Sequence, residues 1–141
     1  MSDAGLTILE GSTFCICDEI GDLDGRTSGL FAEDTRYHRL AVVDDADSRY
    51  LRFDNSLQSA MHLDDPFRTR YRYTDLFHLG IAYNPSARDV LFVGLGAGSS
   101  EKRMWRDFPQ LRLQAVELDP VVVDVAYEYF GLPRDPRLQV D

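Results

Sequence analysis

Apolar and polar residues follow two rhythms along this chain, and the change falls near residue 65. Before it, apolar positions tend to alternate. Leu6 and Ile8, then Phe14 and Ile16, stand two apart and lead into Gly21-Asp22-Leu23-Asp24-Gly25, which reads as one or two short strands and a loop. Residues 37–43 and 50–53 read as the strands of a hairpin, broken at Asp44-Asp45-Ala46-Asp47-Ser48 and followed by a turn at Asp54-Asn55-Ser56. After Asp64-Asp65-Pro66 the spacing becomes helical: Tyr73, Leu76, Phe77, Gly80 and Ile81 recur until Asn84-Pro85, predicting one helix of about three turns.

From Arg88 onward strand and helix alternate. Val90-Leu91-Phe92-Val93 is a short continuous apolar run between turn formers, as expected of a strand buried on both faces of a parallel sheet. A helix over about 99–108 presents Met104, Trp105 and Phe108 on one side and is closed by Pro109. Residues 111–118 form the next strand. Asp119 and Pro120 then make an N-cap and first-turn pair, Val122, Val125, Ala126 and Tyr129 form a helical face, and Gly131 ends it. Leu138-Gln139-Val140 opens a third strand. The pattern predicts an α/β chain in two parts: a β-strand region over 1–65, and the first half of a Rossmann-like parallel sheet with helices over 66–141.

Composition narrows the function. With 44% apolar and 28% charged residues, 141 residues can bury a core without metal or disulfide staples. The formal charge of −9, from 24 acids against 15 bases, repels phosphate backbones and anionic lipid, so neither nucleic acid nor membrane is expected as a partner, while cationic ligands are permitted. No apolar run approaches the roughly 18 residues of a membrane span, and Met1-Ser2-Asp3-Ala4-Gly5 has no leader character, so a cytoplasmic location is expected. Cys15 and Cys17 read as buried or half-buried free thiols rather than a redox or metal pair, and His38, His62 and His78 show no ligand spacing; no metal is expected.

The informative constellation is a strand, then Gly94-Leu95-Gly96-Ala97-Gly98, then a helix, then a second strand ending in Glu117. Glycines let backbone turn tightly and approach a ligand, the helix N-terminus supplies free N–H groups, and an acid at the next strand tip can accept both hydroxyls of a ribose. Ser99 occupies the place of the last glycine of the dinucleotide pattern, which favours an S-adenosylmethionine-type nucleoside site over NAD. A tight turn without a ligand is the alternative.

From about residue 37 to the end the chain resembles the spermidine synthase-like polyamine aminopropyltransferases. The resemblance is carried by Tyr37-His38-Arg39-Leu40-Ala41-Val42, Leu51-Arg52-Phe53-Asp54-Asn55-Ser56-Leu57-Gln58-Ser59, Tyr73-Thr74-Asp75, the glycine loop, Ala115-Val116-Glu117-Leu118-Asp119-Pro120 and Tyr129-Phe130. It implies a small β domain before a methyltransferase-like α/β domain, and transfer of an aminopropyl group from decarboxylated S-adenosylmethionine to a small amine. It further implies that Gly94, Gly96, Gly98 and Gln58 lie against the donor, that Glu117 holds its ribose, and that Tyr73 and Asp75 line the amine side. From the residues alone, Tyr73 reads equally as helix packing and Gln58 as a polar turn residue.

Departures from the family pattern modify the expectation. The acid usual within the loop, which binds the donor's amine, is Ala97 here, and the family's Tyr-Gln and Tyr-His-Glu appear as Tyr37-His38 and Tyr73-Thr74-Asp75. The family's catalytic Asp follows the fourth strand of its sheet, past the third strand read here; no catalytic residue is assigned, and the chain by itself is expected to be weak or inactive. S-adenosylmethionine itself, in a methyltransferase-like protein, and a non-catalytic nucleoside-binding or oligomerising module are the alternatives, with the N-terminal β region as the surface for a homo-oligomer.

Residues 6–40 resemble a different family, the N-terminal domain of bacterial glycogen debranching proteins of the amylo-α-1,6-glucosidase type. The resemblance rests on Leu9-Glu10-Gly11-Ser12-Thr13-Phe14, Asp18, Gly21-Asp22 and Gly29-Leu30-Phe31-Ala32-Glu33-Asp34-Thr35-Arg36. It implies part of a non-catalytic β-sandwich, meeting the second resemblance near Thr35-Arg36-Tyr37, with Asp34 and Arg36 either a buried ion pair or a solvated one.

Overall fold

The structure is a computed structural model that describes residues 28–141 and the backbone of Thr7–Glu10. Cys15, Cys17, the alternation at Phe14 and Ile16 and the turn at 21–25 lie outside the described residues.

Four strands form an antiparallel sheet in sequence order: β2 (Ser28–Asp34), β3 (Arg39–Asp45), β4 (Ser48–Phe53) and β5 (Ser56–His62). The expected hairpin forms, but its strands are longer and its turn tighter than the acidic run suggests. Asp45 pairs with Ser48, leaving only Ala46 and Asp47 in the turn, with Ala46 at φ 51°. Asp44 can sit inside a strand because Arg49, opposite it, donates from Nε and Nη2 to its carboxylate at 2.7 and 2.9 Å. Asp34 lies 3.9 Å from Arg39 rather than against Arg36, and both side chains are largely in solvent, so the ion pair at this position is a solvated one with a different partner.

A second sheet is wholly parallel, in the order β1 (Thr7–Glu10), β6 (Asp89–Val93), β7 (Arg112–Val116), β8 (Leu138–Val140). β1 therefore joins the C-terminal sheet, Thr7 opposite Val90 and Glu10 opposite Val93, and not the β region that follows it in sequence. Val90 and Phe92 of β6 are buried with Leu113 and Ala115 of β7, but among the described residues the opposite face is only partly covered, with Leu91 half-buried, Val93 44% and Val116 36% exposed. The apolar run of β6 is thus buried on one face, not on both.

The helices α2 (Ser99–Asp107) and α3 (Pro120–Tyr129) follow their strands as read from periodicity and caps. Asp119 Oδ1 accepts from the Val121 N–H at 3.0 Å, Pro120 occupies the first turn, and Gly131 ends the segment at φ 66°. The single helix expected from Tyr73 is instead a 3₁₀ segment, Arg72–His78, running into a short α1 (Leu79–Tyr83). Three-residue pitch suits its contacts: the Thr74 hydroxyl donates to the Tyr71 carbonyl at 2.6 Å. Leu76, assigned to the apolar face by spacing, is 62% exposed. No helix among the described residues is long and apolar enough to cross a membrane.

The antiparallel sheet packs on α3 and the loop after β6, while the parallel sheet has a core of its own around Val90, Phe92, Leu113 and Ala115. Leu40, Val42, Leu51 and Met61 from the antiparallel sheet pack against Ala97, Val122, Val125 and Phe130. Two cations fasten the same seam at the end of α3, where carbonyls lack helical partners: Arg49 donates to the Tyr129 carbonyl at 2.8 Å, and the buried Lys102 to the Phe130 carbonyl at 2.6 Å. Truncating Leu51 to alanine is expected to cost about 2–5 kcal/mol and to leave one cooperative transition in urea. Two resolved transitions, one insensitive to the substitution, would show instead that 1–65 and 66–141 fold separately.

Candidate functional site

The carboxyl end of β6 runs directly into the glycine loop, and the loop becomes the N-terminus of α2. All three glycines have positive φ, between 56° and 94°. Two are also closely approached by side chains. A Cβ on Gly96 would lie 2.8 Å from Ser59 Oγ of β5, and one on Gly98 2.5 Å from Leu132 Cδ1. Gly94 faces open space, with nothing within 4 Å of where a Cβ would stand. The loop is further held by the Ala97 N–H, which donates to Ser59 Oγ at 3.1 Å, and the Gly94 N–H, which donates to the Val116 carbonyl at 2.8 Å.

Glu117, just past β7, has a carboxylate wholly engaged with backbone. Oε2 accepts from the N–H groups of Leu95 at 2.9 Å and Gly96 at 3.4 Å; Oε1 accepts from Leu118 at 2.8 Å and Asp119 at 3.1 Å. Four donors match the four in-plane lone-pair sites of a carboxylate. One side chain thereby ties the tips of two neighbouring parallel strands into a single rim.

A cavity of about 210 Å³ opens above this rim. Its lining includes Gln58 from β5, Tyr73 from the 3₁₀ segment, Gly94 and Gly96 from the loop, and Glu117. Of the residues singled out from sequence, those five converge. Gly98 lies behind the loop against Leu132, and Asp75 is exposed, accepting from the Thr69 hydroxyl at 2.7 Å and lying 3.7 Å from Arg103. Gln58 is in a strand, not a turn, and Tyr73 combines both of its readings: it lines the cavity and also packs edge-on to Phe77. His38 stacks on Phe53, another lining residue, with ring centroids 3.7 Å apart.

Sequence reasoning used Ser99 only as a spacing marker and passed over Ser100 and Glu101; all three form the first turn of α2, line the cavity and are at least nine-tenths buried. The buried Ser99 hydroxyl has no hydrogen-bond partner among the described residues. Glu101 is 4% exposed, and burial pushes its carboxyl up to about 8. An acid three residues into the helix behind a glycine loop was the available signal, but it reads ordinarily as a complement to the helix dipole. Burial, and then the neighbouring Glu101, also hold the Tyr73 phenol above its ordinary value. Among the described residues the lining thus contains two carboxyl groups and no basic side chain.

Residues 8–54 match the family model described as the N-terminal domain of some glycogen debranching enzymes. The match continues past residue 40 through β3 and β4, so the two resemblances overlap instead of meeting at Thr35-Arg36-Tyr37. The polyamine aminopropyltransferase of Corynebacterium efficiens is 32% identical over 117 residues, 79% of this chain and 21% of that protein. The eEF1A lysine and N-terminal methyltransferase of Danio rerio is 54% identical over 52 residues, 36% of this chain and 7% of that protein. A probable spermidine synthase from Corynebacterium glutamicum shares the fold with a TM-score of 0.64 at 21% identity, over 81% of this chain and 43% of that one. A spermidine synthase solved with the transition state analogue AdoDATO matches with a TM-score of 0.64 at 18% identity, over 79% of this chain and 39% of that one. The chain spans between 7% and 37% of the length of the curated relatives it matches. Three quarters of it is similar to polyamine aminopropyltransferases, and the α/β fold is theirs.

Replacing Glu117 by glutamine would turn an amide NH₂ toward two backbone donors. This substitution is expected to destabilise the protein by about 1–3 kcal/mol in urea and to speed exchange of the Leu95 and Leu118 amide hydrogens. Unchanged stability and unchanged exchange would show that the carboxylate is not the clasp of the rim.

Proposed function

We propose that this chain, similar over three quarters of its length to the polyamine aminopropyltransferases, binds the adenosine part of a sulfonium nucleoside in the cavity at the strand tips, decarboxylated S-adenosylmethionine foremost. The observation that carries the reading is the convergence of Glu117 and the glycine loop on one cavity also lined by Gln58 and Tyr73. In this reading Glu117 exchanges its bonds to the Leu95 and Gly96 amides for bonds from the two ribose hydroxyls, and Gly94 leaves room for the nucleoside to lie against bare backbone. The unpartnered Ser99 hydroxyl takes a polar edge of the ligand.

The reaction that follows from this donor forms a bond between an amine nitrogen and the carbon beside sulfur. The carbon–sulfur bond breaks, its electron pair stays on sulfur as a neutral thioether, and a proton leaves the new ammonium. Cavity residues supply binding and orientation; we assign no acceptor for that proton and propose donor binding, not turnover, for these 141 residues. The spermidine synthase captured with AdoDATO supports the choice of donor. The likeness to the Danio rerio methyltransferase favours a second reading, in which S-adenosylmethionine itself is bound.

Calorimetric titration of the folded chain with decarboxylated S-adenosylmethionine, S-adenosylmethionine and 5′-methylthioadenosine separates these readings. The decarboxylated donor is expected to bind most tightly, and Glu117→Ala to weaken it by about tenfold or more, about 1.4 kcal/mol. Tighter binding of S-adenosylmethionine would favour the methyltransferase reading, and absence of heat with all three would contradict both.

A further inference from the structure

We propose that Glu101 provides the countercharge for the cationic tail of the ligand, and that it does so by giving up its proton as the tail arrives. The inference rests on the nucleoside reading of the same cavity and extends it to a residue in which neither loop nor strand tip is involved. Ala97 is fully buried and its N–H is held by Ser59, so the loop offers no acid and no space for one. Glu101 stands one helical turn later, on the wall of the same cavity.

Among the described residues the Glu101 carboxyl has no ion-pair partner. The adjacent Lys102 directs Nζ to the Phe130 carbonyl at 2.6 Å and to Met61 Sδ at 3.8 Å, and forms no ion pair with Glu101. Tyr73 faces it from the 3₁₀ segment, Glu117 adds like charge from the end of β7, and β5 contributes only the neutral Gln58 and Ser59 to the cavity. Its relief comes from the backbone N–H groups of Ser100 and Glu101 at the start of α2, and from the more distant charge of Lys102. Burial outweighs these, so at neutral pH the empty cavity holds Glu101 mainly as the neutral acid.

An ammonium or sulfonium entering such a site stabilises the carboxylate, and the proton leaves to solvent. Affinity for a cationic ligand therefore rises with pH until the free-site value of about 8 is passed, and is flat above it. A tail that also bears a carboxylate meets two acids and no base among the lining residues, and is rejected by the same charge. The sign is set by the pair of states: the proton is bound more strongly in the empty site than in the filled one.

The test compares decarboxylated S-adenosylmethionine with neutral 5′-methylthioadenosine, which keeps the nucleoside and lacks the charged tail. For the wild-type chain, the ratio of the two affinities is expected to rise about fivefold or more between pH 6.5 and pH 8, and binding of the cation at pH 7 to release a substantial fraction of one proton in buffers of differing ionisation heat. In Glu101→Gln, which retains Lys102 and Glu117, that ratio is expected to fall about tenfold at pH 8 and to vary with pH much less than in the wild type, the remaining slope being that of the buried Lys102. A ratio unchanged by the substitution, or cation binding without proton release by the wild-type chain, would overturn the inference. If 5′-methylthioadenosine and the cation both fail to bind the wild-type chain, the nucleoside reading fails first and this inference falls with it.

Discussion

The loop between β6 and α2 is wedged between two sheets, and the geometry of the site depends on that wedge. On one side Ser59 of the antiparallel sheet accepts from the Ala97 N–H and stands where a side chain on Gly96 would be. On the other, Glu117 at the tip of β7 gathers the Leu95 and Gly96 amides. A polar backbone segment that turns this tightly would otherwise leave several N–H groups unpaired in a poorly solvated place. Each sheet supplies acceptors the other lacks, so the cavity exists only where the two meet.

The same junction explains the buried cations. Arg49 and Lys102 both end on carbonyls at the C-terminal end of α3, where the helix has acceptors to spare. Burial brings the Lys102 ammonium down to about 8, so the bond to Phe130 is made against a considerable desolvation cost. With the only nearby lysine committed to this seam, the cavity wall on the other side of α2 is left with uncompensated acids. Net acidity, expected over the whole chain to disfavour polyanions, is concentrated at this one place in a wall that, in the proposal above, receives a positively charged ligand.

Much of this was legible in the sequence from residue 88 onward, because there the local signals agree: a continuous apolar run, a glycine loop, the Asp119-Pro120 cap and a helical face ending at Gly131. Agreement is weaker before that. β5 was hidden because Ser56, Gln58 and Ser59 look like turn residues and only the pairing with β4 makes them a strand. The placement of β1 in the parallel sheet depends on partners more than 80 residues away, which no local pattern encodes. The stretch reads as one continuous helix because Tyr73, Phe77 and Ile81 stand four apart, the α-helical spacing, and nothing in that spacing marks Arg72–His78 as 3₁₀. Of the residues that line the cavity, Gln58, Tyr73, Gly94, Gly96 and Glu117 are singled out by motif and resemblance, whereas Glu101 is not, since its character comes from burial and not from its place in a motif.

The central claim, that the strand-tip rim grips a nucleoside through Glu117, is tested most directly by the backbone amide resonances of the ¹⁵N-labelled chain during titration with 5′-methylthioadenosine. The amides of Leu95, Gly96, Leu118 and Asp119, which donate to Glu117 in the empty site, are expected to show the largest shifts and to saturate together. Shifts absent from these four amides while the ligand binds elsewhere on the chain would contradict the account.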